Sequence, residues 1–193
     1  MTEKKYISAQ QLLNDSFQLA LNIFESGYKP DYIVGIWRGG APVGIAIQEL
    51  LEYFGIQTDH ICIRTSSYTG IENRNKKIRV HGLEYIVKNI NAEDSLLIVD
   101  DVYDTGLSIQ EVIRKISAYC RKNTPDIKIA VPYFKPANNE TDLKPHYYLY
   151  ETDKWLVFPH ELNGLTLDEI IKNKPGIISG LENKNCNSNK YIN

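Results

Sequence analysis

Ser95-Leu96-Leu97-Ile98-Val99-Asp100-Asp101-Val102-Tyr103-Asp104-Thr105-Gly106-Leu107-Ser108-Ile109 is the stretch on which the fold turns. Leu96 to Val99 form an apolar run without polar alternation, the pattern of a strand buried on both faces of a parallel sheet. The chemistry then changes abruptly. Asp100, Asp101 and Asp104 bring carboxylates together, Thr105, Gly106 and Ser108 follow, and Ile109, Val112, Ile113 and Ile116 recur at helical spacing. The segment therefore reads as strand, acidic loop, small hydroxyl and glycine turn, then helix. A turn that opens a helix offers free N–H groups and a positive dipole end, which suits a phosphate. Carboxylates beside it repel phosphate, but they accept hydrogen bonds from sugar hydroxyls or hold a bridging divalent cation. The combination points to a phosphorylated sugar. The plainer alternative is a strand–loop–helix turn whose Asp and Ser side chains only cap the helix.

Working outward, other predicted strands also end in chemically distinctive residues. Tyr32–Ile36 is a buried-type strand that runs into Trp37-Arg38-Gly39-Gly40-Ala41-Pro42, where paired glycines permit a sharp bend and close approach to a ligand. Pro42 suits a first helical turn, and Val43, Ile47, Leu50 and Phe54 mark the apolar face of the helix that follows. His60–Arg64 is a third strand. A polar segment then runs from Thr65 to about His81, with Arg64, Arg74, Lys76, Lys77 and Arg79 set against Glu72. So long and basic a segment reads as a loop that closes over a polyanion. Leu83, Ile86, Val87 and Ile90 predict a short helix, and Ile127–Tyr133 a strand that leads to Lys135. His146–Tyr150 and Trp155–Phe158 are further strands. In an open parallel sheet, ligands bind beyond the carboxyl ends of the strands, so these strand ends are expected to meet in one crevice. Alternation of strand and helix implies right-handed βαβ units.

Composition sets the broad class. The chain has 193 residues, 42% hydrophobic and 24% charged, which fits one α/β domain. A formal net charge of −2 offers no global field for nucleic acid or membrane. No apolar run reaches the length of a membrane span. Cys62, Cys120 and Cys186 have neither metal nor disulfide spacing, which suits a reducing cytoplasm, and Cys62 is expected to be a buried small hydrophobe. The expected domain covers residues 1–180, with a hood within about 133–175. The tail at 181–193, rich in asparagine, is expected to be disordered.

The string Val99-Asp100-Asp101-Val102-Tyr103-Asp104-Thr105-Gly106-Leu107-Ser108 resembles the signature of the type I phosphoribosyltransferases, which bind 5-phosphoribosyl-1-pyrophosphate (PRPP). Phe134-Lys135-Pro136-Ala137 and Trp155-Leu156-Val157-Phe158-Pro159 resemble the base-binding elements of bacterial and archaeal hypoxanthine and xanthine–guanine members. The resemblance spans roughly Tyr32 to Pro159. It implies a central, mainly parallel sheet flanked by helices with a small C-terminal hood, and Mg²⁺-dependent salvage of a 6-oxopurine. It also implies a homodimer or homotetramer.

By the same resemblance, PRPP is held by Arg38, Gly39, Gly40, Ser67, Tyr68, Asp100, Asp101, Asp104, Thr105, Gly106, Leu107 and Ser108. Asp104 and Arg74 serve the chemistry. Lys135, Trp155, Leu156 and Val157 meet the purine, and Asp101, with Asp100 and Glu161 as further acids, meets the metal. Physical logic supports the base contacts. Trp155 offers a flat face for stacking, and an ammonium such as that of Lys135 donates to a 6-oxo group but cannot accept from the amine of adenine. Val157 stands where xanthine–guanine members carry an acid, which tilts preference towards hypoxanthine. His160 replaces a Trp of the family pattern. A non-catalytic sensor of PRPP or nucleotide with the same fold is the main rival, and no helix-turn-helix pattern accompanies it. Adenine, uracil or orotate as acceptor fits Lys135 and Trp155 less well. A phosphatase would need an early Asp-x-Asp.

Overall fold

The computed structural model describes residues 3–68 and 77–174. Residues 10–153 form one compact body, and the described residues up to Ala9 and from Lys154 onward form a second. In chain order the elements are β1 (Lys4–Tyr6), α1 (Ala9–Glu25), β2 (Tyr32–Trp37), α2 (Gly40–Tyr53), β3 (Asp59–Tyr68), β4 (Lys77–His81), α3 (Glu84–Asn89), β5 (Ser95–Val99), β6 (Val102–Tyr103), α4 (Leu107–Cys120), β7 (Asp126–Phe134), β8 (Tyr147–Glu151), β9 (Trp155–Val157) and α5 (Leu167–Asn173).

In the larger body the sheet order is β4-β3-β2-β5-β7-β6, with β8 also paired to β7. Strands β2, β3, β5 and β7 are mutually parallel, and β4 alone runs antiparallel, against β3. The α/β architecture and mainly parallel sheet are those expected. β2 shows why its apolar run lacks alternation. Val34 and Ile36 join a buried cluster with Ile86 of α3 and with Ile109, Val112 and Ile116 of α4. Gly35, pointing the other way, meets α2, where a Cβ would lie 3.1 Å from the Gly40 carbonyl oxygen. Both faces are covered, so both registers must be apolar or small. Ile98, Val112 and Ile116 are fully buried, and each such side chain stabilises by about 1.5–3 kcal/mol relative to exposure.

Several boundaries differ from expectation. Thr65–Tyr68 continues β3, and Lys77–His81 returns as β4, with Thr65 opposite Val80 and Ser67 opposite Ile78. Polar composition suggested loop there, but alternation around Ile78 and Val80 suffices for a hairpin arm. In α2 the buried positions are Gly40, Val43, Gly44, Ala46, Ile47 and Leu51, not Leu50 or Phe54. Phe54 lies past the helix end and stacks on Phe24 at 4.3 Å between ring centroids. Cys62 is exposed rather than buried, beside a shallow cleft of about 90 Å³ lined by Gly44, Ile45, Gln48 and His60. Small residues on α2 leave that part of β3 open.

In the smaller body, β1 pairs in parallel with β9, Lys4 opposite Trp155 and Tyr6 opposite Val157. Helix α5 opens with a capping box: Thr166 accepts from the Glu169 amide, and Glu169 accepts from the Thr166 amide. Glu169 also accepts from Lys4 Nζ at 2.6 Å and Tyr6 Oη at 2.9 Å, tying β1 to α5.

Candidate active site

The first cluster forms where β2 and β5 end side by side. Gly39 has ordinary right-handed helical dihedrals (φ −66°, ψ −35°), so no unusual backbone demands glycine there. Space does. A Cβ at Gly39 would overlap the Asp101 carboxylate, and one at Gly40 would overlap the Val99 carbonyl oxygen. The paired glycines therefore serve close approach rather than a sharp bend. They press the turn after β2 onto the acidic loop after β5. Arg38, one residue earlier, is exposed, and its peptide bond to Trp37 is cis.

Asp100 and Asp101 occupy the crowded side of this junction. Asp101 is 7% exposed. The Asp100 carboxylate accepts from the Asp101 amide at 2.9 Å. Burial first, and then the neighbouring Asp101 carboxylate, push the Asp100 carboxyl well above the usual range. Two adjacent acids, one of them driven towards its neutral form, suit sugar hydroxyls, which both donate and accept. The pair also suits Mg²⁺, a hard cation commonly bound by one or two carboxylates together with substrate phosphates rather than by a protein cage. No described group of three or more His, Cys, Asp or Glu side chains gathers as a metal site. Glu161 is turned to a local task, accepting from the Phe158 amide at 3.0 Å.

The second cluster lies beyond β5 and β7. Short β6, inside the acidic loop, pairs with the end of β7, so Val102 lies opposite Tyr133 and Tyr103 opposite Phe134. This pairing brings Asp104 to Lys135. Lys135 Nζ donates to Asp104 Oδ2 at 3.1 Å, and Asn138 Nδ2 donates to Oδ1 at 2.7 Å. Lys135 is 8% exposed, and its ammonium is paired where an unpaired charge would be costly. Gly106 has φ +77°, a conformation that glycine adopts without strain, and α4 begins at the next residue. Thr105 Oγ1 accepts from the Leu107 amide at 3.4 Å. The turn thus opens a helix of 14 residues, and a helix after this turn is what the sequence predicts.

Arg38, Gly39 and Gly40, the acidic loop through Ser108, and Lys135 all fall at carboxyl ends of parallel strands. Contacts join Gly39 to Asp101 and Asp104 to Lys135. Ser67 and Tyr68 belong to the far end of β3, and Arg74 lies outside the described residues. Trp155, Leu156 and Val157 form β9 of the smaller body. There Trp155 is 60% exposed, whereas Leu156 and Val157 are buried. His160 stacks on Phe158 with centroids 5.8 Å apart. Sequence reasoning missed Asn138, which stands in an aperiodic polar stretch and shows its role only through Asp104.

Comparison with known proteins follows the same line. Residues 4–165 match the phosphoribosyl transferase domain, and the chain belongs to this family. A purine phosphoribosyltransferase from Pyrococcus horikoshii Ot3 is similar at 32% identity, covering 84% of this chain and 97% of that one, with a TM-score of 0.67. A hypothetical protein from Neisseria gonorrhoeae with bound ppGpp shares the fold at 18% identity, covering 91% and 98%, with a TM-score of 0.71. The xanthine-guanine-hypoxanthine phosphoribosyltransferase of Helicobacter pylori shares it at 18% identity, covering 83% and 96%, with a TM-score of 0.65. No curated protein matches. No helix among the described residues is long and apolar enough to cross a membrane.

Proposed function

We propose that this protein transfers a 5-phosphoribosyl unit from PRPP to N9 of a 6-oxopurine, hypoxanthine first, releasing pyrophosphate. The observation that carries the reading is the double junction of strand ends, Gly39 on Asp101 and Asp104 on Lys135. The bond from C1′ to the pyrophosphate oxygen breaks, with its electron pair leaving on pyrophosphate. N9 of the base forms the new bond to C1′, and the proton on N7 passes to Asp104 or to solvent. Amides and hydroxyls from Asp104 to Ser108, opening α4, hold the 5′-phosphate. Asp100 and Asp101 orient the ribose hydroxyls, and negative charge in this loop favours the oxocarbenium character that develops at C1′. Arg38 and Arg74 assist the departing pyrophosphate. Mg²⁺ held at Asp101, with Asp100 beside it, would supply charge neutralisation to that leaving group. Asp104 faces purine N7 as hydrogen-bond partner or base.

Lys135 donates to the 6-oxo group while paired to Asp104, which selects against the donor amine of adenine. Trp155 stacks on the purine, flanked by Leu156 and Val157. The absence of an acid at Val157 favours a base without a 2-amino group. The expected setting is a cytoplasmic homodimer or homotetramer that does not engage nucleic acid or membrane.

The deciding experiment incubates the protein with PRPP, Mg²⁺ and each of hypoxanthine, guanine, xanthine, adenine and uracil, and follows nucleotide and pyrophosphate. Turnover of 6-oxopurines with adenine silent is the expected result. PRPP binding without turnover of any base would favour the second reading, a sensor of PRPP or nucleotide. The ppGpp-bound gonococcal protein of the same fold supports that alternative.

A further inference from the structure

We propose that Asn138 is a positioning residue for Asp104, fixing the plane of its carboxylate from the side opposite Lys135; the inference rests on the transferase reading above. Lys135 grips Oδ2 and Asn138 grips Oδ1, so each oxygen has one donor from the turn that follows β7. One donor alone would leave the carboxylate free to swing about the occupied oxygen. Two donors on different oxygens set its orientation towards a purine N–H.

The turn carrying these donors is itself anchored to the loop carrying Asp104. The Lys135 amide donates to the Tyr103 carbonyl at 2.9 Å, and the Glu140 amide to the Thr105 carbonyl at 3.0 Å. Tyr103 Oη bonds Thr141 Oγ1 at 2.9 Å. Residues 103–105 and 135–141 are therefore laced together on both sides of Asp104. Pro136 begins the 3₁₀ turn that ends at Asn138, and the Asn138 amide returns to the Lys135 carbonyl at 3.1 Å. Backbone geometry thus sets the spacing of the two side-chain donors. Asn138 is solvent-exposed, so its side chain has no core to fill, and its bond to Asp104 is its one side-chain hydrogen bond among the described residues.

The test compares wild type, Asn138→Ala, Asp104→Asn and the double variant in steady-state turnover of the best 6-oxopurine, with thermal melts as a folding control. Asn138→Ala should lower kcat by about ten-fold, the loss expected for one hydrogen bond to a charged group, with KM for PRPP within about two-fold. In the Asp104→Asn background the same substitution should change kcat by less than about two-fold, because the carboxylate that Asn138 orients is gone. Asn138→Asp, which sets a second carboxylate against Asp104, should be slower than Asn138→Ala, and Asn138→Gln should recover part of the loss. The side-chain NH₂ resonances of Asn138, read by NMR, should shift on Asp104→Asn whether or not the protein is active. Equal effects of Asn138→Ala in both backgrounds, or an unchanged kcat, would overturn the positioning role alone. A folded wild type inert towards every base would overturn the transferase reading, and the proposal with it.

Discussion

Gly39 and Gly40 offer a direct test because adding the same methyl group at each meets different obstacles. At Gly39 the obstacle is the Asp101 carboxylate, the end of a side chain that can rotate away. Displacing it off its rotamer costs about 0.5–1.5 kcal/mol, so Gly39→Ala should remain folded. At about 2–4 °C per kcal/mol for a domain of 150–250 residues, the melting temperature should fall by roughly 1–6 °C. At Gly40 the obstacle is the Val99 carbonyl, with Asp100 Cα 3.1 Å away, and no rotamer clears a backbone. Gly40→Ala should cost towards the upper end of the overpacking range, about 3 kcal/mol, and lower the melting temperature by roughly 6–12 °C.

Binding should follow a different order. Gly39→Ala expels the Asp101 carboxylate from its seat and removes hydrogen bonds worth about 1.5–3 kcal/mol each, so PRPP affinity in Mg²⁺ should fall about ten- to hundred-fold in a nearly intact protein. Differential scanning calorimetry and isothermal titration with PRPP measure the two quantities separately. Gly39→Ala that binds PRPP like wild type would refute the role of the Gly39–Asp101 contact. Gly40→Ala that melts with wild type would refute the packing argument itself.

Other perturbations probe separate parts of the structure. Asp104→Asn should bind PRPP within a few-fold of wild type but lose about 10²–10⁴ in kcat, and undiminished turnover would remove Asp104 from the chemistry. Tyr133→Phe deletes the hydroxyl that donates to buried Asp15 Oδ2 at 2.8 Å while keeping the ring stacked on Tyr150. It should cost about 1–3 kcal/mol in urea denaturation, and an unchanged midpoint would contradict the bond. Lys4, the Thr166 amide and Tyr6 hold the Glu169 carboxyl down at about 2, against an ordinary 4.5. A carboxyl depressed in the folded state stabilises fully above its unfolded value, and that contribution is lost as pH falls from about 4.5 towards 2. An NMR titration of Glu169 with its midpoint near 4.5 would show that the tie between β1 and α5 does not form.

What could be read from sequence depended on how much each residue's environment constrains it. Leu96–Val99 and Ile33–Ile36 are covered on both faces, so their composition announces strand regardless of distant partners. The Asp100–Ser108 motif was legible because carboxylates, hydroxyls and glycine are an unusual sequel to such a run. β6 spans only Val102 and Tyr103, and β1 only Lys4 to Tyr6, lengths too short for any period to register. β1 pairs with β9, about 150 positions away, so the association of the N-terminal segment with Trp155–Val157 has no local trace. Asn138 was illegible for the same reason, because its partner Asp104 is 34 positions back. By contrast, Thr166-Leu167-Asp168-Glu169 carries a local capping-box pattern at the start of α5 that the sequence reading passed over.

Charge poses the remaining problem of this site, since Asp100, Asp101 and Asp104 crowd the place where a polyanion is proposed to bind. Three free carboxylates would repel the phosphates they are meant to serve. The fold lowers that repulsion by two routes. Lys135, itself nearly buried, places its ammonium 3.1 Å from Asp104 and compensates that charge with a residue from the turn after β7. Burial and the proximity of Asp101 push Asp100 towards its neutral form. Both routes depend on strand ends being packed tightly together, with glycines at Gly39 and Gly40 making room. An acidic loop can then retain acceptors for sugar hydroxyls and donors for phosphate within one turn of chain. In this chain the acids followed by Thr-Gly-x-Ser sit in a fold that brings Lys135 alongside, so the topology supplies part of the charge compensation that the motif lacks.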